Sequence, residues 1–548
     1  MSDQQGRSSF DLGGLGEIAN SKRVSRRQVL QGAAAVGALG ALGPFASACG
    51  GDEATTSASP SAAAPKQGGH IRTAVTGGDT ADILDIHATY IDSGSKTILV
   101  WDALLGWDHE AKLQMKLAES YEANADATAH TVRLKPDLTF HDGSPVTADA
   151  VVYSFQRILD PKTAALGAES LASLKPSGIK KVDDLTVTFT LEQPDAIFFE
   201  ALAYYANGIV PVGFTTPDGA KGAIGTGPWK PISYDPGQQT EFEANRDYWG
   251  VGPYADKVTM IEFIDPTAKL NALLGGTVDH LADLDTAQVT VVESTTGLKL
   301  LEAKGGSWDP FTMLCDKKPF DDVRVRQAFR LIVDRPQMIE QAKGGFSWVG
   351  NDMWAPYDPG YPQDLPQRVQ DLEQAKSLLK QAGYDNDLNI VLYCSTATGA
   401  SDPEAAQVFA EQAKGAGVTV KVNKVDPDVY WDTGNYGSYP FAMSMWGTRN
   451  YLAQCRQTQF PTSPYYETRW KDDEWDKIYQ EAVVTVDEAK RNELIGECQK
   501  IDYERGGHII YQFGVVLDAY SDKLAGLPPD TFGSGSATRQ SYNEFYFV

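Results

Sequence analysis

Asp402-Pro403-Glu404-Ala405-Ala406-Gln407-Val408-Phe409-Ala410-Glu411-Gln412-Ala413-Lys414-Gly415-Ala416-Gly417-Val418-Thr419-Val420-Lys421-Val422 carries the reading of the fold. Asp402-Pro403-Glu404 opens a helix that runs to Lys414, since proline is tolerated in a first turn and acids favour the positive end of the helix dipole. Gly415 and Gly417 stop it, and the valines at 418, 420 and 422 alternate as a strand does. The same alternation of elements extends outward. Asp371 caps Leu372–Ala382, where Leu372, Ala375, Leu378, Leu379 and Ala382 form one apolar stripe before Gly383. Asp322 or Asp321 caps a helix through Val333, and Asp334-Arg335-Pro336 starts another that ends at Gly344-Gly345. Asp487 caps a long helix to about Arg505, and 508–513 returns as a strand. Upstream, 70–75 and 186–191 read as strands, Thr147 can cap a helix to Leu159, and 229–244 reads as a hairpin around Asp235-Pro236-Gly237. Helices and strands with short connections and no repeat predict an α/β protein.

The chain has 548 residues, too many for one core, so at least two lobes are expected. Apolar residues make up 42% and charged residues 22%, which excludes a disordered or multi-span membrane chain. The net charge of −25 argues against nucleic acid as a partner, because no positive field displaces phosphate counterions.

The first 48 residues read as an export signal. Ser25-Arg26-Arg27-Gln28-Val29-Leu30 precedes the mild apolar run 32–42, as in a twin-arginine signal; an ordinary secretory signal with two chance arginines is the alternative. Ala46-Ser47-Ala48-Cys49-Gly50 resembles a bacterial lipobox, with Ala46 where leucine is usual, so Cys49 is expected to carry lipid. Residues 49–67 then form a Ser/Ala/Thr/Pro-rich tether. From Cys49 onward the net charge is −27. Cys315, Cys394, Cys455 and Cys498 permit three full pairings or remain free thiols, and the spacing chooses neither. No metal-ligand spacing is present, and no cofactor is expected.

Several ordered blocks resemble one family, the extracytoplasmic solute-binding proteins of the peptide/nickel type of ABC importer (family 5). They are Leu117-Ala118-Glu119-Ser120-Tyr121-Glu122; Phe140-His141-Asp142-Gly143-Ser144-Pro145-Val146-Thr147-Ala148-Asp149-Ala150-Val151; Gly225-Thr226-Gly227-Pro228-Trp229; Asn245-Arg246-Asp247-Tyr248-Trp249-Gly250; Pro319–Phe329; and Ala375–Tyr384. The resemblance implies a type II periplasmic-binding-protein-like clamshell with an inserted third domain. Lobe I is expected at 68–112, 222–308 and 506–548, the insertion at 113–221, and lobe II at 309–505, with the crossings as the hinge. Phe140, Asp142, Gly143 and Pro228 are expected in turns and packing. Asp321, Arg324, Arg326 and Asp334 have the spacing of caps and surface ion pairs.

By the same resemblance, the strand Val100-Trp101-Asp102-Ala103-Leu104-Leu105-Gly106 would meet the ligand through its backbone. Asp102 either faces the cleft or caps a turn. Peptide-binding relatives carry a Trp followed three residues later by an Asp that receives a terminal ammonium. Here Met445-Trp446-Gly447-Thr448-Arg449-Asn450-Tyr451 keeps the Trp and puts Arg449 in place of that Asp. Trp446, Arg449, Asn450 and Tyr430 are therefore candidate ligand contacts together with Asp102, Ala103 and Leu104. Trp431, Tyr436, Tyr439 and Tyr451 are further aromatics near Trp446, for which core packing is the alternative. Arg449 either offers a planar fork to a carboxylate, phosphate or hydroxyl-rich group or pairs with a neighbouring acid.

Nucleophile elbow, phosphate loop and His-Glu-x-x-His are all missing, and the seven histidines lack ligand spacing, so no enzyme is expected. The expected partners are a small-molecule or oligopeptide ligand, an ABC permease and ATPase, and the membrane through the lipid, with the chain itself a monomer. A surface receptor, a chaperone or, less readily, an extracellular hydrolase on the same fold are the competing readings.

Overall fold

The computed structural model describes residues 65–88, 91–432, 434–529, 536–538 and 541–548, with backbone only at 91–95. The expectations for Arg26, Arg27 and Cys49 lie outside the described residues.

Local caps form where short polar residues precede apolar periodicity. The carboxylates of Asp322, Asp334, Asp371 and Asp487 accept from backbone amides of the helices Val323–Ile332, Arg335–Lys343, Leu372–Gln381 and Glu488–Arg505. Gly344 ends the second of these in a left-handed conformation at φ 61°. Thr147 occupies the cap position of Ala148–Leu159, but its hydroxyl makes no cap bond; the Ala148 amide reaches the Asp184 carbonyl instead. Asp402 stands one residue inside Asp402–Lys414, behind Ser401.

Among the described residues, three sheets organise the body. An eight-stranded mixed sheet runs Leu298–Lys304, Gln512–Ser521, His280–Leu281, His70–Thr76, Lys257–Phe263, Gln239–Ala244, Trp229–Asp235, with Ser347–Val349 also on Gln512–Ser521. A five-stranded sheet runs Val418–Lys424, Leu388–Cys394, Phe441–Met443, Phe311–Met313, His508–Ile509. A four-stranded antiparallel sheet is built from Ala118–Ala123, Ala129–Leu134, Thr186–Leu191 and Leu174–Lys181. Each sheet has its own apolar core: Ile71, Val258 and Trp229 for the first, Phe311, Phe329 and Phe409 for the second, Val132, Phe155 and Phe189 for the third.

Apart from the excursion to Ser347–Val349, the chain crosses from the first sheet to the second after Lys304 and returns after Ile509. The passages lie side by side: Gly305 N–H donates to the Gly514 carbonyl at 3.0 Å, and Gly514 N–H to the Ser307 carbonyl at 2.7 Å. The strand expected over 508–513 is accordingly broken at 510–511. There the backbone turns from one sheet to the other, and Ile510 N–H is taken by the Asp352 carboxylate at 3.0 Å. Arg326 is another correction. Instead of a surface pair it is buried, its guanidinium donating to the carbonyls of Phe320, Arg505 and Gly506, which ties the helix Val323–Ile332 to the end of Glu488–Arg505. Arg324 does form its surface pair, with Asp322. Gly143 sits at φ 82° in the turn where Asp142 accepts from Ser144. The four cysteines at 315, 394, 455 and 498 are free thiols.

Candidate functional site

Trp446 is held by the strand bridge Trp308–Trp446, in which each amide donates to the other's carbonyl at 2.9 Å. Its indole N–H donates to Glu467 Oε1 at 3.0 Å, leaving 8% of the residue exposed. Behind it lies a column of rings: Trp308 stacks on Trp354 at 5.6 Å, and Trp354 on Tyr451 at 5.2 Å. Glu467 is the polar hub of this wall, accepting also from His508 Nε2 at 2.9 Å and from the Tyr436 hydroxyl at 2.6 Å. Burial raises its pKa, but the hydrogen bond and charge of His508 and the Tyr436 hydroxyl outweigh burial and hold it below the usual carboxylate range. In front, Tyr465 meets Trp446 edge-on at 5.4 Å, and half-buried rings continue through Tyr436 to Trp431. Beside them a side chain at Gly447 would meet only open space.

Arg449 projects from the same loop and is exposed. Its guanidinium lies 5.8 Å from the Trp446 ring and makes a long 3.4 Å hydrogen bond to Gln454 Oε1. Among the described residues it has no ion pair. Its charge reaches Tyr465 and, from the other side, Tyr204. Asn450 precedes the helix Tyr451–Thr458 and donates its side-chain amide to Glu200 Oε1 at 3.2 Å. Glu200 is half-buried, and burial, then the nearby charge of Asp358, push its carboxyl up to about 8.

The second group of candidates lies elsewhere. The carbonyls of Asp102, Ala103 and Leu104 accept from Ile209, Leu117, and both Lys116 and Ala118. Asp102 is half-buried and neither caps a turn nor stands free: Trp249, Thr226 and Tyr248 donate to its carboxylate at 3.1, 3.1 and 3.4 Å. Burial raises its pKa against those bonds and the charge of Lys116. Segment 198–209 connects the two groups, bonded to Asp102 through Ile209 and to Asn450 through Glu200. Tyr430 does not join them. It is fully buried and its hydroxyl donates to the Met443 carbonyl at 2.6 Å, so it packs behind the wall. Tyr451 is likewise buried.

Sequence reasoning missed Glu200, Tyr204 and Glu467. Glu200 had a visible signal, a lone acid inside Phe198-Phe199-Glu200-Ala201-Leu202-Ala203. Glu467 had none, since its partners come from segments around 436, 446 and 508. Among the described residues no group of side chains could hold a metal ion.

Comparison with known proteins matches these observations. The profile of "Bacterial extracellular solute-binding proteins, family 5 Middle" matches residues 112–460, and that of the twin-arginine translocation signal matches residues 23–43. The chain is thus exported by the twin-arginine route. It is 26% identical over 446 residues to di/tripeptide-binding protein 2 of Pseudomonas aeruginosa, covering 75% of this chain and 83% of that protein. It is 26% identical over 472 residues to heme-binding protein A of Haemophilus influenzae, covering 80% and 84%. The crystal structure of the ABC transporter substrate-binding protein CtaP from Listeria monocytogenes superposes with a TM-score of 0.76 at 22% identity, over 88% of this chain and 100% of that one. The chain belongs to family 5 of the bacterial extracellular solute-binding proteins, a family of binding proteins and not of enzymes.

Proposed function

We propose that this chain captures a small solute, peptide-like or otherwise polar, through an anionic group held at Arg449, and hands it unchanged to an ABC permease and its ATPase. The eight-stranded sheet is the core of lobe I and the five-stranded sheet that of lobe II, with 113–221 as the inserted domain. The paired passages at 305–310 and 510–514 serve as the hinge. A solute touching both sides favours the closed arrangement by its differential contacts. Cys49 anchors the monomer to the outer face of the membrane by lipid, and 49–67 is its tether.

The observation that carries the ligand class is the exposed guanidinium of Arg449, without an ion pair among the described residues of a chain of net charge −25. Such a cation, 5.8 Å from an indole ring, suits a carboxylate or phosphate. An ammonium in the same place would be repelled: two like charges 4 Å apart at an effective dielectric of 20 cost about 4 kcal/mol. That is roughly a thousandfold in affinity. A peptide ligand would then be read by its carboxylate, not its amine.

Calorimetric titration of di- to pentapeptides with free, N-acetylated or C-amidated ends tests the reading. Binding should survive N-acetylation, weaken strongly on C-amidation, and be lost in Arg449→Ala. Tight binding that requires a free amine and persists in Arg449→Ala refutes it.

A further inference from the structure

The segment from Asp195 to Tyr204 lies along residues 449–457, more than two hundred residues away in sequence, and pairs with it in antiparallel order. The Asp195 carboxylate takes both terminal nitrogens of Arg456, at 2.7 and 2.9 Å. Glu200 takes the Asn450 amide, and Tyr204 feels the charge of Arg449. Around this row, Ala196 N–H donates to the Val483 carbonyl at 2.7 Å and Gln457 donates to Glu169 at 3.1 Å. The Arg491 guanidinium lies over the Phe199 ring at 5.6 Å. Ile197 is buried in one cluster with Trp308, Trp354 and Tyr451. The inserted four-stranded domain is therefore fastened at a second place, away from the paired passages.

Among the described residues, Glu200 is the acid of this row without an ion pair. The charged groups facing it are Asp358 from the loop between Ser347–Val349 and Leu372–Gln381, Arg456 from the helix Tyr451–Thr458, and Asp195 from its own segment; Arg491, from Glu488–Arg505, acts on Asp358. Arg456 is committed to Asp195 in a two-nitrogen pair, and Asp358 is buried with its oxygens on the amides of Tyr451 and Gly360. We propose that Asp195–Tyr204 is a clasp holding the inserted domain onto lobe II, and that ionisation of Glu200 loosens it. Protonated, Glu200 accepts from Asn450 and shows Asp358 no charge. Ionised, it becomes a second half-buried anion beside Asp358 without a free cation to meet it.

The direction with pH follows from the raised carboxyl. The clasped state keeps its proton up to about pH 8, whereas a released, solvated glutamate loses it near about 4.3. The clasped-to-released ratio therefore falls as pH rises between these values, roughly tenfold per pH unit for one proton, and is level outside them.

The Ala196 amide reports the clasp directly because its hydrogen bond crosses it. Amide hydrogen exchange of the mature, solute-free chain is measured from pH 5 to pH 8 and corrected for base-catalysed intrinsic exchange, with strand Thr186–Leu191 as the internal control. The Ala196 protection factor should fall roughly tenfold per pH unit in the parent protein, while the control strand stays level. Glu200→Gln should hold Ala196 protection constant over the range. Asp195→Asn should lower it at every pH and keep the slope. A level parent profile, or an equal slope in Glu200→Gln, overturns the proposal. If Glu200→Gln does not fold, the parent series and Asp195→Asn still decide.

Discussion

Lys343 joins the two passages between the sheets to the core of the five-stranded sheet, and its removal has a calculable consequence. Its ammonium, 12% exposed, contacts Asp309 Oδ2 at 2.8 Å and Asp402 Oδ1 at 3.1 Å, and Gln512 donates to the same Asp309 oxygen at 2.8 Å. Asp309 and Gln512 stand on the two passages, whereas Asp402 opens the helix Asp402–Lys414 and is fully buried. Burial raises Asp402 to about 7 even with Lys343 beside it. Lys343→Met keeps the apolar stem and deletes the charge, leaving one carboxylate fully buried and another mostly so. Removing one partner of a buried pair costs about 3–5 kcal/mol. The lower end applies, because Asp309 keeps Gln512 and some solvent, and because Asp402 can take up a proton. Urea unfolding at pH 7.5, followed by tryptophan fluorescence, should show a loss of about 3 kcal/mol. The loss should shrink towards pH 5 as Asp402 is neutralised. The double variant Lys343→Met/Asp402→Asn should recover most of it, giving a coupling of at least about 1 kcal/mol. A loss below about 0.5 kcal/mol, or strict additivity, would refute the account of this cluster.

Three further outcomes follow from the packing. A Cβ at Gly225 would stand 1.9 Å from the Val100 carbonyl oxygen, so Gly225→Ala should destabilise the chain by about 2 kcal/mol or more in the same assay. Glu467→Gln should flatten the acid limb of stability. A carboxyl held below its ordinary value stabilises the fold above that ordinary value and loses the contribution as pH falls through the depressed one, so thermal melts from pH 7 to pH 3 should separate the two proteins near neutrality and bring them together in acid. Cys394, Cys455 and Cys498 are buried and their thiols are raised by desolvation, Cys394 to about 11. A thiol reagent should modify none of these three in the native protein, and all of them after unfolding.

Local physics was legible from the residues; long-range physics was not. A short polar side chain ahead of an apolar stripe has one low-energy use, so Asp322, Asp334, Asp371 and Asp487 could be read as caps without knowing what they pack on. The alternating valines at 418–422 specified a strand for the same reason. Arg326 could not be placed, because its burial depends on three carbonyls, two of them about 180 residues away. Tyr430 and Trp446 are alike in sequence context. Whether an aromatic ring lines a wall or supports it depends on a hydroxyl finding Met443 or an indole finding Glu467. The break at 510–511 is set by the turn from one sheet to another, which no local pattern records. At the site, the departure at Arg449 was visible as a sign reversal, but its surroundings, with no acidic partner among the described residues, needed the folded chain.

The central claim is that a solute is held by an anionic group at Arg449 and released unchanged. Native mass spectrometry of the gently purified protein addresses it most directly. The account predicts a co-purifying small molecule with an acidic group, absent from Arg449→Ala and recovered with its mass unaltered after incubation. A bound cation or neutral molecule retained equally by Arg449→Ala, or a compound converted into products, would contradict it.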